Sequence, residues 1–133
     1  MKEFPILLNQ NQLKATPQRI AILEVLQKMG HLNVDDLFAF VKKKQSSVSL
    51  ATIYTNVNSM INKMVLSEVK LPNRKSVYEI IKIPHGHLVC TKCNTIYDAE
   101  FSTDTLLQEA SKNHEFKTKK TDIVLEGVCK NCS

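Results

Sequence analysis

The sequence predicts an α+β protein in two parts. Helices closed by a strand hairpin fill residues 1–82, and a small α/β domain held by a four-cysteine metal site fills residues 83–133. Three observations predict it. Apolar residues recur at helical spacing behind a capping residue at three places in the first part. Short alternating runs take over from Val65 onward. Two C-x-x-C pairs, Cys90/Cys93 and Cys129/Cys132, bracket the second part.

Thr16-Pro17 starts the first long helix, with Thr as cap and Pro at the first helical position. Ile20, Leu23, Leu26 and Met29 form its apolar stripe, and Gly30 ends it. Asn33 caps the next helix, where Asp35 and Asp36 sit in the favourable first turn and Lys42-Lys43-Lys44 at the dipole-negative end. Its apolar side is Leu37, Phe38, Phe40 and Val41. Ser49 caps a third helix over roughly 50–63, with Ile53, Val57, Met60 and Ile61 as the buried stripe. Val65 to Leu71 alternates as a strand, Pro72-Asn73-Arg74-Lys75 turns, and Ser76 to Ile81 returns. Three helices followed by a basic-tipped hairpin make a winged helix-turn-helix. The boundary falls near Lys82-Ile83-Pro84.

The second part opens on His85-Gly86-His87-Leu88-Val89-Cys90, a strand that runs into the first C-x-x-C knuckle. A partner strand covers about 95–101. A helix capped by Ser102 runs to about Lys112, and a last strand spans about 122–128. Met1 to Gln12 is a short apolar patch with Pro5 and no small-residue cleavage site, which makes it a poor secretory signal. No apolar run approaches a membrane span, so the expected location is the cytoplasm, where paired cysteines more often hold metal than disulfides.

The net charge of +5 is unevenly placed. Residues 1–82 carry 12 Lys/Arg against 6 Asp/Glu, and residues 83–133 carry 6 against 7. A basic first half beside a Cys/His-rich second half suggests nucleic acid on one side and metal on the other. The third helix sharpens the first suggestion. Its face opposite the buried stripe holds Ala51, Thr55, Asn58, Ser59 and Asn62, with Tyr54 at the border and no charge. An ordinary surface helix would carry Glu and Lys there. Small residues, Thr, Asn and Tyr suit close approach to base edges in a major groove.

Two C-x-x-C pairs 35 residues apart supply four thiolates, the donor set of a closed tetrahedral zinc site. A thiol redox switch and a pair of disulfides are the competing readings. Strand parity puts His85 and His87 on one face and Cys90 on the other, so the two histidines are left for a second metal. Asp98 on the return strand, Glu79 at the end of the wing strand and His31 just past the first long helix are further candidate ligands. Imidazoles with carboxylates suit Fe(II), Mn(II) or Zn(II). Spacing alone does not bring His31 to the others.

Leu13-Lys14-Ala15-Thr16-Pro17-Gln18-Arg19, His31, Ser49-Leu50-Ala51-Thr52-Ile53-Tyr54, Tyr78-Glu79, His85-Gly86-His87 and both C-x-x-C pairs together resemble the ferric uptake regulator family, from Leu13 to the C-terminus. The resemblance implies a dimeric, metal-dependent bacterial repressor with an N-terminal winged helix and a C-terminal α/β dimerisation domain, not an enzyme. It implies a regulatory Fe2+ or Mn2+ site at His31, Glu79, His85, His87 and Asp98. Cys90, Cys93, Cys129 and Cys132 would hold structural Zn2+. Tyr54, Thr55 and Asn58 would read bases, Arg19 and Lys14 would serve backbone or minor-groove contacts, and Thr16 and Thr52 would bind DNA beside them, in an operator of two-fold symmetry. Asp98 is what the peroxide-response branch carries, whereas Glu79 is more typical of the iron-uptake branch. Gly86 stands where the iron-uptake branch usually has Asp, and Pro84 where it often has His. The expected function is therefore a peroxide-sensing repressor that acts through iron-catalysed oxidation of ligand histidines, His31 and His85 foremost. The alternative is an iron- or zinc-uptake regulator that responds to metal supply alone. A small oxygenase would leave the basic winged helix unexplained, and a zinc ribbon serving as a protein-interaction module stays open until metal-dependent binding to palindromic DNA separates the two.

Overall fold

The structure, a computed structural model, describes residues 3–81, 86–119 and 121–133. His85 and the boundary residues Lys82, Ile83 and Pro84 lie outside them. The chain divides into two compact units, Met1–Lys82 and Ile83–Ser133.

The first unit begins with a helix that the sequence reading took for an apolar patch. α1 spans Glu3–Gln10 and buries Phe4 and Leu8, one helical turn apart. Pro5 does not prevent it, because the amides of a first helical turn have no intrahelical acceptor to lose. The three expected helices follow as α2 (Pro17–Met29), α3 (Val34–Lys44) and α4 (Leu50–Asn62). Each expected cap does its work: Thr16 accepts from the Arg19 amide, Asn33 from Asp36 and Ser49 from Thr52. α2 buries Ala21, Ile22, Leu23, Val25 and Leu26, whereas Met29 is exposed. Gly30 takes a φ of 84°, a conformation costly for any residue with a Cβ, and its amide closes onto the Leu26 carbonyl. β1 (Leu66–Val69) and β2 (Val77–Ile80) form an antiparallel hairpin. At its turn Asn73 adopts a left-handed φ of 58°, and Lys75 pairs with Asp35 at the start of α3. Leu8, Ile22, Leu26, Leu37, Ile53, Met60 and Leu66 are among the core residues of this unit.

The second unit is a three-stranded sheet in the order β4-β3-β5 with one helix. β3 (Gly86–Cys90) pairs antiparallel with β4 (Ile96–Ala99) and parallel with β5 (Val124–Gly127). The helix, α5, spans Asp104–His114 and is entered through Thr103, not Ser102, with no side-chain cap bond. This unit has little interior of its own. α5 buries no residue, and Tyr97, Phe101, Leu106, Phe116, Leu125 and Val128 are all exposed.

Candidate metal centres and nucleic-acid interface

The four cysteines converge at one end of the sheet. Their sulfur atoms lie within 4.8 Å of one another, and none is in a disulfide. Cys93 Sγ and Cys129 Sγ are 3.8 Å apart. Four thiolates arranged tetrahedrally around zinc, with Zn–S of about 2.3 Å, have S···S edges of about 3.8 Å, far longer than a disulfide bond. The donor set and its spacing therefore fit zinc. The knuckle is built by Asn94, whose left-handed φ of 61° lets its amide return to the Cys90 carbonyl at 2.9 Å. The other pair is closed by the Cys132 amide on the Cys129 carbonyl, 3.0 Å.

Hydrogen bonds bias the sulfurs unequally. Cys90 Sγ accepts from the Cys129 amide at 3.4 Å and the Cys93 amide at 3.5 Å, which lowers its pKa to about 6. Cys132, hydrogen-bonded to Cys129 and Cys93, is pushed up to about 12. Cys129 is lowered, first by Cys132 and also by the nearby hydroxyl of Tyr97, whose own pKa is raised by Cys129 in turn. Cys93 Sγ lies 3.2 Å from Thr95 Oγ1. The sequence reading missed Thr95 and Tyr97. Their alternation on the strand leaving the knuckle was the available signal, since both point to one face.

The second set of donors is present as two pairs, one in each unit. In the first unit His31 Nε2 lies 3.2 Å from Glu79 Oε2. An isolated bridge places them there: the Tyr78 amide donates to the Leu32 carbonyl at 2.8 Å and the Leu32 amide to the Tyr78 carbonyl at 3.3 Å. The loop after α2 is thereby stitched to β2, and each bridged residue carries a ligand as its neighbour. In the second unit His87 pairs across the sheet with Asp98, and His87 Nε2 lies 3.4 Å from Asp98 Oδ1. Glu79 and His87 are both buried. Parity holds as expected: His87 and Asp98 are on one face of the sheet, Cys90 and Tyr97 on the other.

On α4, Tyr54, Thr55 and Asn58 are exposed together with Ala51 and Asn62, and the face carries no charge. Thr55 Oγ1 donates to the Ala51 carbonyl, and the Thr52 hydroxyl lies 2.9 Å from Ser49 Oγ. Lys14 is exposed, while Thr16 and Arg19 are half-buried at the start of α2. Arg19 is already engaged, by Asn56 on α4 and by the Lys14 carbonyl.

A winged helix followed by a sheet that carries two kinds of metal donors is the build of a metal-responsive transcription regulator. The model of the ferric uptake regulator family matches residues 10–126. The peroxide operon regulator of Bacillus subtilis is 30% identical over 135 aligned positions, covering 100% of this chain and 93% of that protein. A ferric uptake regulation protein of Synechococcus elongatus is 31% identical, covering 94% and 89%. The crystal structure of the Campylobacter jejuni peroxide stress regulator superposes with a TM-score of 0.77 at 32% identity, covering 95% of this chain and 96% of that one. The chain belongs to the ferric uptake regulator family, whose members are transcription regulators and not enzymes. Among the described residues no helix is long and apolar enough to cross a membrane.

Proposed function

We propose that this chain is a dimeric, metal-dependent repressor that senses peroxide. The observation that carries the proposal is that each unit presents an imidazole beside a carboxylate, His31 with Glu79 and His87 with Asp98. Two such pairs, with His85, make a ligand set for Fe2+ or Mn2+. A metal that prefers one arrangement of the two units selects that arrangement from the ensemble. In a dimer this fixes the distance between the two copies of α4, and an operator with half-sites about 34–36 Å apart, or a multiple of it, rewards one distance. Tyr54, Thr55 and Asn58 read bases, Lys14 contacts the DNA backbone or minor groove, and Thr16 and Thr52 lie beside them, with Arg19 at the start of α2. The domain roles follow: residues 1–82 bind DNA, and residues 83–133 dimerise and hold structural Zn2+ at Cys90, Cys93, Cys129 and Cys132.

The exposed apolar residues of the second unit support the dimer. A cavity of about 430 Å³ opens on its sheet face, lined by Leu88, Tyr97, Leu125 and Val128 among others. Among the described residues β5 is an edge strand, and an edge strand offers backbone groups to a pairing partner. A second copy would cover both.

Ferrous ion in the regulatory site would supply the electron that reduces peroxide. This chain's contribution is the imidazoles of His31 and His85 as the groups that take up oxygen, since the thiolates are committed to zinc. An oxidised imidazole is a poor ligand, so metal affinity and DNA affinity fall together. The test is DNA binding with Fe(II), Mn(II) or Zn(II), each with and without brief peroxide treatment, followed by mass spectrometry of tryptic peptides. One added oxygen on the His31 or His85 peptide, in the iron form only and with loss of DNA binding, is the expected result. Oxidised cysteines with zinc release would make the protein a thiol switch. The second reading, an uptake regulator, is favoured by relatives of both kinds at nearly equal identity. It predicts DNA binding that follows metal supply with no oxidised histidine.

A further inference from the structure

Arg19 and Asn56 are 37 residues apart in sequence and form one hydrogen-bonded chain inside the first unit. Arg19 Nε donates to Asn56 Oδ1 at 3.1 Å, and Arg19 Nη1 donates to the Lys14 carbonyl at 3.0 Å. Asn56 Nδ2 donates in turn to the Thr52 carbonyl at 3.0 Å. The amide can have only this orientation, because a guanidinium offers donors alone and a carbonyl accepts alone. The chain thus runs from the backbone ahead of α2, through a guanidinium and a carboxamide, to the backbone of α4.

Asn56 does not lie on the exposed face with Tyr54, Thr55 and Asn58. It is half-buried on the flank of α4 that turns toward the start of α2. The rest of the α4 packing is apolar, through Ile53, Val57 and Met60. Apolar contact is non-directional: it sets which face of α4 is buried, but it adds no directional bond that fixes the helix's exact rotation about its own axis. A rotation of about 10° moves a side chain at the rim of a helix by roughly 1 Å, enough to break a hydrogen bond to a base edge. A charge-assisted bond to a planar fork fixes that rotation. The same fork holds the Lys14 carbonyl, which also accepts from the Thr16 amide at 3.0 Å. Lys14 and the reading face of α4 are therefore set against each other by one residue.

We propose that Asn56 is a specificity-determining positioning residue and that Arg19 acts through it, orienting α4 rather than serving as a phosphate ligand. The inference rests on the DNA-binding reading above and assigns the residues that hold the reading helix in register.

The experiment uses the full chain loaded with Mn(II). Its probes are a duplex enriched from a random DNA pool by the unaltered protein and a scrambled duplex of the same composition. Asn56→Val removes both the acceptor for Arg19 and the donor to the Thr52 carbonyl, whereas Asn56→Asp keeps the acceptor and loses only that donor. Asn56→Val should lower the affinity ratio between the two duplexes on the order of tenfold, the size of a lost base contact, and leave the salt dependence unchanged. Asn56→Asp should keep the ratio within about twofold of the unaltered protein, although its added negative charge weakens binding to both duplexes. A ratio unchanged in Asn56→Val overturns the proposal, as does equal loss in both variants. A salt slope lowered by about one charge in Arg19→Gln makes Arg19 a phosphate ligand instead and also overturns it. The clamp has its own readout without DNA: the Nε–H proton resonance of Arg19 should exchange slowly, lose that protection in Asn56→Val and keep it in Asn56→Asp. Absence of protection in the unaltered protein overturns the clamp. If the pool yields no enriched sequence while the protection follows this pattern, the DNA reading has failed, and the positioning role with it, though the hydrogen bonds stand.

Discussion

A Cβ built on Gly86 would lie 2.5 Å from Cδ2 and 2.6 Å from Cε2 of Phe101, and 3.3 Å from Cβ of Ile123. An aromatic ring rests on the glycine, so any side chain at 86 meets Phe101 first. Gly86→Ala must swing that ring outward, and because Phe101 is exposed at 36% the overpacking costs toward the low end of about 1–3 kcal/mol, partly offset by the lower backbone entropy of alanine. The melting temperature should drop by a few degrees, and adding Phe101→Ala should make the alanine at 86 nearly neutral. A Gly86→Ala protein that melts with the unaltered one would mean that Phe101 does not pack there. The hydroxyl of Tyr97 is a second case. It lines the same cavity as Cys129 and biases that sulfur toward the thiolate, and outer-shell partners of metal ligands are typically worth about 10–100-fold in metal affinity. Tyr97 is partly exposed, so Tyr97→Phe belongs at the lower end of that range, measured by competition with a chelator. Zinc retention unchanged by Tyr97→Phe would mean that the hydroxyl has no hold on the zinc site. The sequence does carry a signal at the zinc knuckle, since Asn94 is a residue type that tolerates a left-handed backbone. It did not disclose the close contact at Gly86, because that contact comes from Phe101 and Ile123, which meet the glycine only once the sheet has formed.

At the scale of elements, the best-read features were those with local causes. Thr16, Asn33 and Ser49 each cap a helix through their own side chain and the amide three residues on, so both partners lie in one short window. The stretch read as a short apolar patch is α1, and its cause is not local: Pro5 in the first turn is compatible with a helix, and burial of Phe4 and Leu8 in the core selects it. The entry to α5 was misplaced by one residue, since Thr103 serves as N-cap without a side-chain bond and nothing in the residue type marks it over Ser102. α4 is the element whose surface composition predicts most. Its exposed face is uncharged although the first unit is basic, so specificity and non-specific attraction should be separable. Thr55→Ala and Asn58→Ala should each relax the preference for the enriched duplex by about 1–3 kcal/mol and leave the salt slope unchanged. A specificity ratio that survives both substitutions would put base reading elsewhere than on this face.

At the scale of the molecule, the two units differ in what holds them together. The first buries a cluster running from Phe4 to Leu66. The second leaves α5 without a buried residue and most of its large apolar side chains exposed. A unit that cannot close a core alone depends on a staple or a partner, and the four cysteines and a second copy are the two on offer. Cys90→Ser and Cys129→Ser should therefore lose zinc and the dimer together, read by metal analysis and light scattering on the same sample. A zinc-loaded, stable dimer in either variant would remove the cysteines from that role.

His31 is the ligand that sequence spacing could not place. Its position beside Glu79 follows from the Leu32–Tyr78 bridge, a pairing across 46 residues that neither segment announces. It belongs to the unit that carries α4, whereas His87 and Asp98 belong to the other. If one metal must engage both pairs, His31→Ala removes the only imidazole of residues 1–82 and with it the advantage the metal gives to one arrangement. Coupling between a metal site and a DNA site is typically about 1–3 kcal/mol, so Mn(II) should strengthen operator binding by about 5–150-fold in the unaltered protein and by less than twofold in His31→Ala. Zinc content and the dimer should be unaffected, because the four cysteines and the β5 edge lie in the other unit. Loss of zinc or of the dimer in His31→Ala would point to unfolding rather than uncoupling, and the binding result would then not count for the bridge. Full stimulation by Mn(II) with zinc and dimer intact would mean that the regulatory metal is held by the second unit alone, and Glu79 would lose its place among the ligands.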